Sequence, residues 1–249
     1  MGDRVDLDAF VGGAAVDPVV FELRPGYRVL LVAVDGVAPG ASDSLSEDLL
    51  VRAEQEAGHL LADIPVEELP HIGAWREAYR VFGAKPQRTR NSLEALTRRA
   101  GAGLPRVNRL TDVYNALSVL HQVPLGGEDL MRYAGSPRLL RATGIESFDT
   151  TADGEPVIEH PDAGEVVWRD DDGVTCRRWN WRQETCRSCP SPNCPCRALR
   201  PCRHRRARFA CAHQHRNFRT SQGCQAQLGP SPLWRYRFRD CPARWHCHC

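Results

Sequence analysis

Across residues 71–130 apolar side chains recur at helical spacing three times. Ile72, Trp75, Tyr79 and Phe82 fall three and four apart, setting four large apolar groups on one helical face. Gly83 and Pro86 end that helix, because glycine suits a C-terminal cap and proline cannot continue the turn. Asn91, with Glu94 three residues on, starts a second helix with Leu93, Leu96 and Ala100 on one stripe, and Gly101, Gly103 and Pro105 break it. Leu110, Val113, Tyr114, Leu117 and Leu120 form a third stripe, closed by Pro124 and a Gly126-Gly127-Glu128-Asp129 turn.

On either side the pattern reads differently. Residues 19–23 and 27–34 are short and rich in β-branched side chains, and Arg24-Pro25-Gly26 separates them, so two strands around a turn are predicted. The run 29–34 does not alternate, which places it mid-sheet and covered on both faces. Ser44 with Glu47 reads as a capping box before Leu45, Leu49, Ala53, Ala57 and Leu60 at helical spacing. Beyond residue 129, strands are predicted at 139–142, 155–159, 165–169 and 174–181, with turns at Gly154 and at Asp170-Asp171-Asp172-Gly173. The fold class is α/β (α+β): a mixed sheet with packed helices.

Polar residues gather where the third helix begins and ends. Asn108, Asp112, Asn115 and Ser118 lie in or beside it, and Asp112 and Asn115, three apart, share a face. They either cap and solvate a surface helix or line a site. In Gly126-Gly127 the absence of side chains lets backbone approach something closely. Strand alternation over 174–181 sets Trp179 and Trp181 on one face and Arg178 and Arg182 on the other. Those residues could stack on bases and pair phosphates, or fill core and pair with nearby carboxylates.

Three phrases carry a resemblance: WREAYRVFGAKPQRTRNSLEAL, LPRVNRLTDVYNALSVLHQVPLGGEDL and GEVVWRDDDGVTCRRWNWR. They resemble the B3/B4 domain of the beta subunit of phenylalanyl-tRNA synthetase, which also occurs as free-standing proteins; the likeness spans about residues 70–182. The resemblance implies an α/β unit whose pocket hydrolyses tyrosine wrongly attached to the phenylalanine tRNA. Ester hydrolysis of that kind needs a positioned water, groups holding the amino acid's ammonium, and donors for the developing oxyanion. Glu128 or Asp112 could hold the ammonium, and Asn108 and Asn115 could place water or read a side-chain hydroxyl. Arg76, Arg88, Arg90, Arg178 and Arg182 could meet tRNA phosphates. Cys176 is alone and His71 and His121 have no evident partner, so no Ser-His-Asp or Cys-His arrangement is visible and no covalent nucleophile is expected. No cofactor is expected.

Composition divides the chain near residue 184. Ten of the eleven cysteines lie in residues 185–249, which hold 13 arginines against one acid, Asp240, for a net +12; the preceding 20 basic and 30 acidic residues give −10. The overall +2 hides these opposed pieces. The division predicts a domain over 1–184 and an irregular Cys/Arg-rich tail over 185–249. Three readings compete for that tail. Cys186-x-x-Cys189, Cys194-x-Cys196, Cys211-x-His213-x-His215 and the terminal His-Cys-His-Cys offer zinc ligands, but without a second CxxC pair at the usual separation. Disulfides fit poorly in a chain with no export signal. Thirdly, the tail lacks Val, Ile and Met and any apolar period, and the chain has a single lysine, Lys85, beside 32 arginines. Such composition is what G/C-rich DNA encodes when read out of phase, so a frameshift near Gln183 is expected. It would leave strand 174–181 an exposed edge.

The opening residues show no signal peptide or myristoylation site, and no stretch approaches 18 uninterrupted apolar residues, so a cytoplasmic protein without membrane contact is expected. The expected partners are tRNA or aminoacyl-tRNA, or a free amino acid. One functional reading is hydrolysis of mischarged aminoacyl-tRNA. Another is a non-catalytic tRNA- or amino-acid-binding module of the same fold, which the acidic body, a poor general phosphate binder, favours as a pocket reader. A zinc-bound, RNA-binding tail on an inert body ranks last.

Overall fold

In the computed structural model, residues 6–37, 40–153 and 155–183 are described, together with the backbone of 207–213 and 233–238. The zinc, disulfide and frameshift readings of the tail, those two strands apart, fall outside the described residues.

The chain opens with helix α1 (Leu7–Gly12), capped by Asp6, then strand β1 (Ala15–Val16) and helix α2 (Pro18–Leu23). The β-branched run at 19–23 predicts a strand; the structure has α2 there. Asp17 caps its first turn by accepting the Val19 amide at 2.9 Å, and Pro18 has its φ preset for the first helical position, so these start signals outweigh β propensity. Strand β2 (Val29–Val37) follows. It lies inside a sheet, as predicted, but Val29, Leu31 and Ala33 are buried while Leu30, Val32 and Val34 are half-buried, so its two faces are covered unequally.

Helix α3 (Ser44–Leu60) starts one residue earlier than the Ser44/Glu47 pattern implies, with Asp43 and Ser46 forming the capping box. Its buried side is Ser46, Leu50, Ala53 and Ala57, and Leu45 is exposed. Helix α4 (Pro70–Val81) buries Ile72, Trp75 and Tyr79 as the spacing requires. Gly83 ends it at φ +90, where the Ala84 amide reaches back to the Tyr79 carbonyl at 2.9 Å. Helix α5 (Ser92–Ala100) is capped by Asn91, whose side chain accepts the Glu94 amide at 2.9 Å.

Helix α6 (Arg109–His121) departs from its apolar stripe. Leu110, Val113, Tyr114, Leu117 and Leu120 are only half-buried, while Thr111, Asp112, Asn115, Ala116, Ser118 and Val119 are buried. The helix is enclosed nearly all round, and its polar side faces protein rather than solvent. Ala53, Ala57, Ala100 and Ala116 let α3, α5 and α6 approach closely around Leu50, Leu104 and Val119.

Strand β3 (Leu125–Asp129) occupies the Gly-Gly-Glu-Asp stretch for which a turn is predicted; its backbone pairs with another strand, so the glycines lie inside a ladder. Then come β4 (Arg138–Arg141), β5 (Phe148–Ala152), β6 (Glu155–Glu159), β7 (Val166–Arg169), β8 (Val174–Arg177) and β9 (Arg182–Gln183). β5 carries no clean alternation and goes unpredicted. The hairpin at Asp170–Gly173 forms as predicted: buried Asp170 accepts the Asp172 and Gly173 amides at 2.9 and 3.0 Å. The tail adds β10 (Ala207–His213) and β11 (Leu233–Phe238), although its composition predicts no regular element.

These strands form a five-stranded sheet, β1-β4-β7-β8-β9, a four-stranded sheet, β11-β2-β10-β3, and the ribbon β5-β6. β1 runs parallel to β4 and β11 to β2, and the remaining pairs are antiparallel. β8 is flanked by β7 and β9 and is therefore not the exposed edge that a chain ending at this point implies. Between the sheets and α4 lies an aromatic core in which Trp179 meets Tyr27 and Trp75 edge-on, with centroids 4.9 and 5.2 Å apart.

Candidate functional site

A cavity of about 360 Å³ opens between the α5 and α6 helices, β3, and the turn that follows β8. Its apolar wall includes Leu31, Leu96, Tyr114, Trp168 and Trp179; Asn115, Glu128, Tyr133, Asn180, Arg182 and Gln183 add polar groups.

The turn is what shapes the wall. The strand predicted over 174–181 stops at Arg177, and Arg178 and Trp179 adopt φ +48 and +69. Two successive non-glycine residues in the left-handed region are costly and persist only when surroundings fix them. Buried Glu165 does so: it accepts two bonds from the Arg177 guanidinium, at 3.0 and 2.7 Å, and the Arg178 amide at 3.0 Å. The Trp179 amide also reaches the Val166 carbonyl at 2.6 Å. The reversal cancels the predicted alternation. Trp179 turns into the core, whereas Arg178 and Arg182 both lie over Trp181, 4.4 and 5.4 Å from its ring centroid.

Glu128 is half-buried on β3, and the Tyr133 hydroxyl donates to it. Gln183 Nε2 lies 3.3 Å from Glu128 and 3.4 Å from the Gly127 carbonyl. A Cβ added to Gly126 would stand 3.1 Å from that same Gln183 amide, so the close approach inferred from the glycines is made by Gln183. Burial pushes the Glu128 carboxyl above its ordinary range, against the bonds from Tyr133, Thr175 and Gln183. Burial likewise raises the Cys176 thiol well above its usual value, so this pocket-lining sulfur is held as the unreactive thiol.

Of the residues singled out from the sequence, Asn115, Glu128 and Arg182 line the cavity. Asn108 does not: its side chain accepts the Thr111 amide at 3.0 Å as the α6 cap. Asp112 does not either. Fully buried, it accepts the Val107 amide at 2.8 Å and the Ser42 hydroxyl, pinning two loops to α6. Arg76 is 11% exposed and pairs at 2.7 Å with buried Glu94, which Arg90 approaches at 3.8 Å. Arg88 and Arg90 are exposed on the loop before α5. Thr89, between them, accepts from Arg178 at 2.7 Å, and the neighbouring Ser92 amide bonds the Asn180 carbonyl at 3.1 Å, tying this loop to the pocket wall. Tyr133, Trp168, Asn180 and Gln183 also line the cavity, and no sequence motif marks them. Only Tyr133, a polar-tipped aromatic five residues past Glu128, gave any local hint. Among the described residues no group of three or more His, Cys, Asp or Glu side chains could hold a metal ion. Nor is any described helix long and apolar enough to cross a membrane.

The structure thus defines an α+β protein with an aromatic-walled pocket carrying a carboxyl and carboxamide groups. Residues 74–189 match the family model described as the B3/4 domain, and they hold every lining residue except Leu31. No curated protein and no solved structure matches the chain.

Proposed function

We propose that this pocket receives the aminoacyl end of a charged tRNA and promotes hydrolysis of its ester. The observation that carries the reading is the convergence of Asn115 and Glu128 in one cavity of the B3/4 segment, with Arg182 in its wall. Asp112 and Asn108 are committed to loop and helix ends, which leaves Glu128 to meet the amino acid's ammonium. A cation arriving there would draw the raised carboxyl back to its ionised form. Asn115, 8% exposed, is placed to orient water or read a polar side chain. Arg88 and Arg90, on the loop joined to the pocket wall through Thr89 and Ser92, suit the phosphates of the acceptor end. In the reaction water adds to the ester carbonyl and gives up a proton, the bond to the ribose oxygen breaks, and that oxygen takes up a proton.

A non-catalytic binding module is the second reading. It is favoured by the cross-bonding of Glu128 to Tyr133 and Gln183, which suits recognition as well as catalysis. Full-length chain with a panel of correctly and wrongly charged tRNAs separates the two. Release of the amino acid that is lost in Asn115→Ala supports hydrolysis; saturable binding without release supports the module; neither binding nor release rejects both.

A further inference from the structure

We propose that the sheet bearing Glu128 is a strand acceptor, completed by residues 207–213 of the same chain, and that the β3 wall of the pocket depends on this inserted strand. β2 and β3 are not neighbours. β10 lies between them, antiparallel to both. Its register sets Ala210 opposite Glu128 on one side and Ala33 on the other, and Ala212 opposite Gly126 and Leu31. Leu31, Gly126 and Glu128 all line the cavity, and this one strand pairs with both strands that carry them.

Among the described residues β3 has no other sheet partner. Without β10, β2 and β3 would face each other across a slot about 9–10 Å wide, two strand spacings, with unpaired amides and carbonyls on both sides. An extended segment fills such a slot through main-chain bonds, which depend little on side-chain identity. That is why a stretch with no apolar period can occupy it. The 23 residues between Gln183 and Ala207 can reach on the order of 75 Å when extended, ample for the connection. Being tethered, the strand binds at an effective concentration near the millimolar range, so an intramolecular occupant outcompetes dilute partners.

Hydrogen exchange on the full-length chain tests this without any ligand, and so independently of the proposed hydrolysis. Amides of 207–213 and 125–129 should be protected together. Successive amides of a central strand point to opposite neighbours, so Ala210→Pro with Cys211→Pro removes one bond toward each of β2 and β3. Exchange at 126–129 should rise about tenfold or more while α4 and α5 keep their protection. Ala210→Ser with Cys211→Ser, which retains both amides, should leave the pattern unchanged. The proposal is overturned if amides 207–213 of the unmodified chain exchange as fast as an unstructured peptide, or if the proline pair leaves 126–129 within about twofold of the parent. Should the proline chain unfold altogether, exchange in the unmodified chain decides alone.

Discussion

Removing the Glu165 carboxylate should destabilise the turn that shapes the pocket wall. Glu165 is 2% exposed and Arg177 6%. In Glu165→Leu the Arg177 guanidinium keeps only Glu159, at 2.7 Å, whose side chain is 35% exposed. Breaking one partner of a buried pair costs about 3 kcal/mol at the lower end, which applies here because the charge keeps a single, partly exposed partner. The Arg178 amide also loses its acceptor, which adds about 1 kcal/mol. A loss of roughly 4 kcal/mol lowers the midpoint of thermal unfolding by about 8–16 °C for a chain of this size. Circular dichroism melts and urea titrations read both quantities. The discriminating variant is Glu165→Leu with Arg177→Met. Replacing both charges by apolar groups removes the stranded cation, so the double variant should recover most of the loss, to within roughly 1–2 kcal/mol of the parent. A single variant costing under about 1 kcal/mol, or a double variant no more stable than the single, would refute the role given to this pair.

Asp112→Ala should destabilise by about 2–3 kcal/mol, since it strips the buried Val107 amide and Ser42 hydroxyl of their acceptor; loss of ligand binding in a fully folded Asp112→Ala chain would contradict this structural role. Gly126→Ala should change stability by less than about 0.5 kcal/mol, because the group it meets is the end of Gln183, yet shift Gln183 off Glu128; denaturant melts beside ligand titration check this. Burial raises the folded-state Glu128 carboxyl above its unfolded value, so the folded chain holds that proton more tightly. Its contribution is therefore full below the unfolded value and is lost as pH rises through the raised one. In Glu128→Gln that part of the decline in urea midpoint should vanish, and an unchanged profile would count against the assignment.

What the sequence disclosed, and what it hid, follows the range of the interactions involved. Helices α4 and α5 were legible because Trp75, Tyr79, Leu93 and the Asn91 cap act within a turn or two of one another. The hairpin at Asp170 was legible for the same reason. Helix α2 is hidden in the sequence because β-branched side chains mask an Asp-Pro start. Strand β3 reads as a turn in the sequence because its glycines are paired with a partner some 80 residues away in the chain. Of the polar residues around α6 only Asn115 lines the cavity, because polarity alone does not separate a cap from a lining group. Asn108, Asp112 and Asn115 differ in what the surrounding loops bring to them. The left-handed turn at Arg178 and Trp179 had no glycine to announce it, since Glu165, more than ten residues earlier, holds it in place.

Binding of non-hydrolysable 3′-aminoacyl-adenosine analogues to the full-length chain tests the central claim most directly. Saturable binding is expected for at least one analogue of the panel. It should weaken about tenfold or more, roughly 1.4 kcal/mol, in Asn115→Ala and in Glu128→Gln, and persist in folded Asn108→Ala. Equal affinity in the Asn115 and Glu128 variants, or equal loss in Asn108→Ala, would contradict it.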